Sequence, residues 1–217
     1  MTDGASSAAE KVHDGGMEAT AEDAVRANTY SLLAALLAKA PSSEILDLLK
    51  QIDAPAIDAP AKADAGQIAA CWEALRLASE RAQLDELADE YQDLFIGVGR
   101  GELMPYGSWY TTGFLMDRPL TVLREDLAVL GFERQQEVYE PEDHVAALCE
   151  TMGMIVRASE EIPFDTQRKF FGDHMGHWMG RFFQDLQEAK SARFYRAVGQ
   201  LGEQFIEFEK RYLGMLT

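Results

Sequence analysis

The chain has 217 residues and a formal net charge of −17 at pH 7, with an isoelectric point of about 4.6. Because 47% of its residues are apolar, it can bury a sizeable core, and wholesale disorder is excluded. The acidic balance argues against nucleic acid and anionic membranes as partners, and it favours either a cationic partner or simple solubility.

The first 22 residues are small, polar and glycine-containing, so we expect a disordered tail at 1–22. This segment lacks the basic and apolar regions of a secretory signal, and no apolar run in the chain reaches membrane-spanning length. Cys71 and Cys149 lie in helical patterns and fit buried, reduced thiols. We therefore expect a cytoplasmic protein without stable membrane insertion.

Apolar residues then recur at helical spacing to the end of the chain, and we find no alternating pattern typical of strands. One such stripe consists of Ile45, Leu48, Leu49 and Ile52. The other stripes begin at Tyr30, Ile68, Leu84, Leu120, Val145, Phe171 and Phe194. The pattern predicts an all-α protein built as a multi-helix bundle.

The stretch LFIGVGRGELMPYGSWYTTG, residues 94–113, interrupts this pattern with five glycines. A phosphate-binding loop needs glycines between a strand and a helix N-terminus, whereas these follow the C-terminal end of a helix, which repels anions. Gly97 is the expected residue after a helix end. We therefore interpret the stretch as a helix stop followed by an irregular loop.

Three large aromatic side chains, Tyr106, Trp109 and Tyr110, lie in this loop without helical spacing. Aromatic residues on irregular segments are typical of surfaces that bind peptides. The same rings could instead pin the loop to the core, and both interpretations stay open from these residues alone.

A second unusual segment is YEPEDH, residues 139–144. Pro141 suits the first turn of a helix, and Glu142 and Asp143 would then lie where a helix N-terminus stabilises carboxylates. The segment is either an ordinary helix start or an acidic hinge that accepts arginines, since arginine–carboxylate pairing is bidentate and directional.

The histidines offer weaker signals. His174 and His177 are spaced for a metal, but we find no carboxylate or cysteine nearby that completes an obvious ligand set. No nucleophile–base constellation stands out either, so we expect no catalytic residues, no metal and no enzyme activity. The alternative is a helical metal-binding protein or enzyme that uses His144, His174 and His177.

Three motifs occur in order: EYQDLFIGVGRGELMPYGSWY at 90–110, EPEDHVAALCETM at 140–152 and FFGDHMGHWMGRFFQDL at 170–186. Together they resemble the TorD/DmsD/NarJ family of redox-enzyme maturation chaperones, and the resemblance covers most of the chain from about residue 25. It implies an all-helical fold in two parts joined by a hinge: an N-terminal part at 23–139, which includes a loop at 97–118, and a C-terminal part at 140–217.

The resemblance also implies a function. Family members act in the cytoplasm, where they bind the twin-arginine signal peptide and the catalytic subunit of a molybdenum-cofactor oxidoreductase. They assist cofactor insertion and delay export until maturation. Because some members bind guanine nucleotide weakly and some form domain-swapped dimers, we expect no cofactor beyond weak guanine-nucleotide binding, and a monomer or swapped homodimer.

Carried over by position, the resemblance gives a set of signal-peptide-binding candidates: Tyr106, Ser108, Trp109, Tyr110, Glu140, Pro141, Asp143 and His144. Phe171, His174 and Trp178 match a family motif, and their spacing suits either a groove or the core. The family often has proline where this chain has His177, so we expect a straighter helix at that point.

Overall fold

The computed structural model describes residues 20–52, 62–134 and 139–215. Its ten α-helices are α1 (Ala21–Ala38), α2 (Ser43–Gln51), α3 (Lys62–Arg81), α4 (Leu84–Tyr91), α5 (Gly107–Thr112), α6 (Arg118–Val129), α7 (Val145–Arg157), α8 (Phe164–Phe171), α9 (Met179–Glu188) and α10 (Phe194–Met215). These residues contain no strand, which confirms the predicted all-α class. None of the described helices combines the length and apolar character needed to cross a bilayer.

The first helix begins two residues earlier than predicted. Most of the expected tail, residues 1–19, lies outside the described residues, and Thr20 is the N-cap of α1. Its hydroxyl accepts a hydrogen bond from the Asp23 N–H at 3.1 Å, and the Asp23 carboxylate accepts one from the Thr20 N–H at 3.3 Å. This reciprocal capping starts the helix at Ala21.

The helices share one hydrophobic cluster, which contains residues from both sides of position 140. The first helix packs along α7, while α10 packs against α9 and α3. Tyr30 on α1 meets Phe205 on α10 edge to face, with ring centroids 4.7 Å apart. The division into two parts at residue 140, and the exchange of these parts between protomers, stay predictions.

The helix stop at Gly97 is confirmed. The fourth helix continues as a π-helical turn, Gln92–Ile96, and the Gly97 N–H donates to the Gln92 carbonyl at 2.7 Å. Gly97 has a φ of 63°, and a Cβ at this position would lie 1.9 Å from the Arg100 carbonyl oxygen. Only glycine fits a backbone that approaches itself so closely.

The segment that follows is less irregular than predicted, because it contains the short helix α5. The Ser108 N–H in its first turn donates to Asp143 Oδ2 at 2.8 Å. The Gly107 N–H donates to the Asp143 carbonyl at 2.9 Å. A residue 35 positions away therefore satisfies two of the free N–H groups at the start of this helix.

The stripe that begins at Phe171 does not form one continuous helix. The eighth helix ends there, a π-helical turn spans Gly172–Gly176, and α9 begins at Met179. The Trp178 indole N–H donates to the His174 carbonyl at 2.7 Å, which ties down the turn between the two helices. The expectation of a straighter helix at His177 is therefore wrong, since the chain breaks here without proline.

Candidate functional site

A short antiparallel contact joins the two segments that the sequence analysis singled out. Tyr106 and His144 form an isolated β-bridge, and the Val145 N–H donates to the Pro105 carbonyl at 2.8 Å. Because His144 is held in extended conformation, α7 begins at Val145 with His144 as its N-cap. The prediction that Pro141 lies in the first turn of this helix is wrong.

Asp143 and Ser108 lie beneath this contact. Asp143 is 3% exposed and Ser108 is 0% exposed. Asp143 Oδ1 and the Ser108 hydroxyl have no hydrogen-bond partner within the described residues, whereas Asp143 Oδ2 accepts from the Ser108 N–H. Both side chains are too buried to meet a peptide on the surface, and Asp143 instead fixes the position of the 106–108 segment.

A cluster of three side chains surrounds this contact: Tyr106, Glu140 and His144. The Tyr106 hydroxyl donates to Glu140 Oε2 at 2.5 Å, and its ring meets the His144 ring edge to face at 5.2 Å. Burial, followed by the hydrogen bond to Glu140, raises the pKa of Tyr106 above its ordinary value. The phenol therefore stays protonated and keeps donating to the carboxylate.

His144 is buried and neutral. Its Nδ1 accepts a hydrogen bond from the Ala146 N–H at 3.1 Å, so the ring proton lies on Nε2. Burial lowers the pKa of His144, although the negative charges of Glu140 and Asp143 act in the opposite direction. A neutral ring at this position adds no positive charge to repel a cationic ligand.

The neighbouring Glu142 is already paired. Its carboxylate lies 2.8 Å from Arg124 Nη2 and 3.8 Å from Arg134 Nη1. Burial alone would raise the pKa of Glu142, but the hydrogen bond from Arg124 and the charges of both arginines lower it below its ordinary value. The Pro141 carbonyl accepts the His144 N–H at 3.0 Å and closes the turn. Neither residue has a free group for a peptide arginine.

A groove of about 480 Å³ runs between α1 and α7, and Glu140 and His144 line it; we call it the α1–α7 groove. Glu140 and Glu150 are exposed, and neither forms an ion pair with a described cationic side chain. The other lining residues are Ser31, Ala34, Ala35, Ala38, Ala146, Ala147, Met154 and Arg157. The groove thus combines two open carboxylates with a floor of small side chains.

Trp109 and Tyr110 lie in a different place. They line a separate cavity of about 340 Å³ together with Arg181 and Asp185. Tyr110 stacks on Trp178 with centroids 5.4 Å apart, and its hydroxyl donates to Asp185 at 2.9 Å. The Arg100 guanidinium lies over the Trp109 ring at 4.8 Å. Tyr110 therefore pins its segment to the core, while Tyr106 reaches the cluster beside the α1–α7 groove.

The C-terminal motif belongs to the core. Phe171, His174 and Trp178 are 4%, 7% and 3% exposed, and His174 Nε2 lies 2.8 Å from Asp126 Oδ2. His177 instead contacts the Thr111 hydroxyl at 3.3 Å. Among the described residues no three His, Cys, Asp or Glu side chains could hold a metal. The alternative based on His144, His174 and His177 has no metal site in this part of the chain.

Most of the residues that line the groove were not predicted from the sequence. Glu150, Met154 and Arg157 follow the surface-facing side of α7, and Ala34 and Ala38 are one turn apart on α1. Spacing of three and four residues on the face opposite the core stripe was the available signal. Alanine carries no chemistry that distinguishes a groove floor from ordinary helix surface.

Comparison with known proteins agrees with this architecture. Residues 55–184 match the family model described as nitrate reductase delta subunit. The chain is 30% identical over 203 residues to the chaperone protein TorD of Vibrio vulnificus, covering 87% of this chain and 94% of that one. It is 30% identical over 155 residues to the TorD of Vibrio cholerae, covering 66% of this chain and 70% of that one.

A solved structure shows the same fold. The crystal structure of a proposed redox enzyme maturation protein from Archaeoglobus fulgidus superimposes with a TM-score of 0.53 at 16% identity, over 87% of this chain and 94% of the other. This likeness concerns the fold alone, whereas the family model and the TorD sequences establish the relationship. The chain belongs to the TorD/NarJ family of redox-enzyme maturation chaperones.

Proposed function

We propose that this protein is a cytoplasmic chaperone that binds the twin-arginine signal peptide and the catalytic subunit of a molybdenum-cofactor oxidoreductase. It assists cofactor insertion and delays export of the subunit until maturation. The observation that carries the proposal is the α1–α7 groove, in which Glu140 and Glu150 are exposed and lack an ion-pair partner among the described residues. Membership of the chaperone family supports it.

Two adjacent arginines suit this groove. A guanidinium can bind a carboxylate through two parallel N–H···O bonds, and two carboxylates on one groove can receive two guanidinium groups. The net charge of −17 also attracts a cationic peptide from a distance and raises its association rate at low salt. Tyr106 holds Glu140 through its hydroxyl, so that this acceptor is already oriented before the peptide binds.

The apolar part of the groove suits a peptide backbone. Ala34, Ala38 and Ala147 have small side chains that leave room for a peptide, and Met154 has a flexible side chain that adapts to different apolar partners. Binding an apolar segment between two helices is a common mode of peptide recognition.

Titration calorimetry with a synthetic twin-arginine signal peptide tests the proposal. We expect the double variant Glu140→Gln, Glu150→Gln to weaken binding by about twofold to thirtyfold, since each exposed ion pair contributes about 0.2–1 kcal/mol. The wild-type affinity should fall with added salt more steeply than that of the variant.

The matched control is Glu125→Gln, Glu161→Gln, which removes the same charge from two exposed positions outside the groove. It should leave affinity within about twofold of wild type, the range expected from long-range attraction alone. An equal loss in both double variants would show general electrostatic attraction without a groove site. Unchanged affinity in the groove variant would place the peptide elsewhere.

Weak guanine-nucleotide binding stays a separate proposal. The cavity beside Trp109 is lined by Arg100 and Arg181, whose guanidinium groups suit phosphate oxygens, and by Asp185, whose carboxylate accepts N–H groups. Quenching of Trp109 fluorescence by GTP, compared with ATP and with a Trp109→Phe variant, tests it. Equal quenching by both nucleotides would exclude recognition of the guanine base.

A further inference from the structure

A second groove follows the same helix as the first. It has a volume of about 450 Å³ and lies between α1, α2 and α3; we call it the α1–α2–α3 groove. The side chains that line it within the described residues are all uncharged, and Leu32, Ile45 and Leu48 are among them. In a chain with 26% charged residues, an uncharged surface of this size favours an apolar ligand.

The two grooves meet on α1. Ser31 and Ala35 line both of them, so the ridge that separates the grooves includes two small side chains. The lining residues of the two grooves run along α1 from Val25 to Ala38, which corresponds to about 20 Å of helix. A single segment can therefore cross the low ridge and occupy both grooves.

Arg157 marks the boundary. Its guanidinium donates to the Ser31 hydroxyl at 2.8 Å and to Asn28 Oδ1 at 3.3 Å, and it lines the α1–α7 groove. It lies seven positions after Glu150 on α7, or about 10 Å along the helix. A bound arginine is attracted to the carboxylates and repelled by Arg157. This asymmetry fixes the direction in which a peptide with a cationic end can lie.

We propose that the apolar stretch after the arginines of the bound peptide crosses the Ser31–Ala35 ridge and lies in the α1–α2–α3 groove. This inference rests on the proposed function. Signal peptides carry an apolar region of roughly 7–15 residues, which as a helix spans about 10–22 Å. Beyond Arg157, the described residues that line the groove carry no charge, so they accept that region without burying an unpaired ion.

Leu48 provides the test, because its side chain is 56% exposed and its replacement should leave the fold intact. Two synthetic peptides of equal length are needed, one with two arginines followed by about twelve apolar residues and one with serine and glycine in place of the apolar residues. We expect Leu48→Glu to lower the affinity for the apolar peptide by about tenfold and to leave the affinity for the serine–glycine peptide within twofold of wild type. The control Val122→Glu, at an apolar position on α6 that is 42% exposed, should change neither affinity.

The outcomes separate this inference from the proposed function. If Leu48→Glu binds the apolar peptide like wild type while the Glu140→Gln, Glu150→Gln variant loses affinity, the inference is wrong and the proposed function stands. If neither peptide binds wild type, the proposed function fails. A photo-reactive benzophenone at the apolar end of the peptide should crosslink to residues 43–51, and crosslinking only to 145–157 would overturn the inference. If sedimentation shows that wild type is a homodimer and that Leu48→Glu is a monomer, the groove binds a second copy of the chain and the inference is wrong.

Discussion

Charged side chains have opposite roles beside the two ends of α1. Near its start, the Arg26 guanidinium donates to both carboxylate oxygens of Glu209, from Nε at 2.7 Å and from Nη2 at 2.9 Å. Tyr30 donates to the same carboxylate at 3.0 Å. Arg26 is 1% exposed and Glu209 is 0% exposed. Near the end of α1, the carboxylates of Glu140 and Glu150 are exposed and have no ion-pair partner among the described residues.

The difference separates charges that specify the fold from charges that are available to a ligand. The buried cluster joins α1 to α10 with complete bidentate geometry, so it has no capacity for a further partner. In the α1–α7 groove, Glu140 and Glu150 form no ion pair with a described guanidinium, and Arg157, which lines the same groove, donates to Ser31 and Asn28 instead. A peptide arginine would make there the kind of bond that Arg26 already makes inside the protein.

Breaking the buried cluster should give the largest effect. Glu209→Ala leaves Arg26 buried with only Asp23 as a charged partner, and removing one partner of a buried ion pair costs about 3–5 kcal/mol. Urea unfolding should show this loss in free energy of unfolding, whereas Glu150→Gln should change it by less than about 0.5 kcal/mol. Equal stability of Glu209→Ala and wild type would mean that the cluster does not hold α1 to α10.

Parts of this architecture followed from sequence pattern because they depend on neighbours within one helix. The helix around the stripe Ile45–Ile52 and the glycine stop at Gly97 are local signals, and the structure contains both. The predicted stripe of α2 does not face the core along its whole length, since Leu48 is 56% exposed. The start of α5 depends on Asp143, which lies 35 positions away. No local pattern contains that information.

The candidate site was predictable only in part, for the same reason. Family motifs brought Tyr106, Glu140 and His144 together, and the structure places them beside the α1–α7 groove. Trp109 and Tyr110 lie in the same motif, but the turn of α5 directs them to another cavity. Asp143 fixes where α5 begins, and the start of α5 decides which of these aromatic rings lies beside the α1–α7 groove and which faces the cavity beside Trp109.

Asp143 should give an intermediate effect that sharpens the comparison, because it is a buried carboxylate beside the open groove. Asp143→Ala removes the acceptor of the Ser108 N–H, and an unsatisfied buried group costs about 1–3 kcal/mol. We expect urea unfolding to show this loss and peptide affinity to fall with it, since the position of Tyr106 depends on the same contact. Asp143→Asn keeps an acceptor oxygen, so it should retain most of the stability and most of the peptide affinity.

The Asn variant also distinguishes a positioning role from a direct one. If Asp143 contacted a peptide arginine itself, Asp143→Asn would lose about tenfold in affinity at unchanged stability, because a charge-assisted bond contributes about 1.5–3 kcal/mol. That result would show that the buried carboxylate opens to the groove when peptide binds.

The smallest effect on stability should come from His144, whose ring is buried and also lines the α1–α7 groove. Its pKa in the folded protein is lowered, first by burial and against the charges of Glu140 and Asp143, whereas an unfolded histidine titrates near 6.5. Above that pH both states are neutral and the stability is complete. As the pH falls below about 6.5, the unfolded chain binds a proton that the folded ring still resists, so stability declines until the pH passes the folded pKa. His144→Asn can still cap α7 by accepting from the Ala146 N–H but cannot titrate in this range. Urea unfolding of both proteins between about pH 5 and 7 should therefore show a steeper decline in the free energy of unfolding for wild type than for His144→Asn.

Protonation of His144 would also place a positive charge beside Glu140, so acidification should lower the affinity for a twin-arginine peptide more in wild type than in the variant. Parallel stability profiles in the two proteins would show that burial does not lower the pKa of His144 below that of the unfolded chain, and parallel affinity profiles would show that its protonation is not linked to peptide binding.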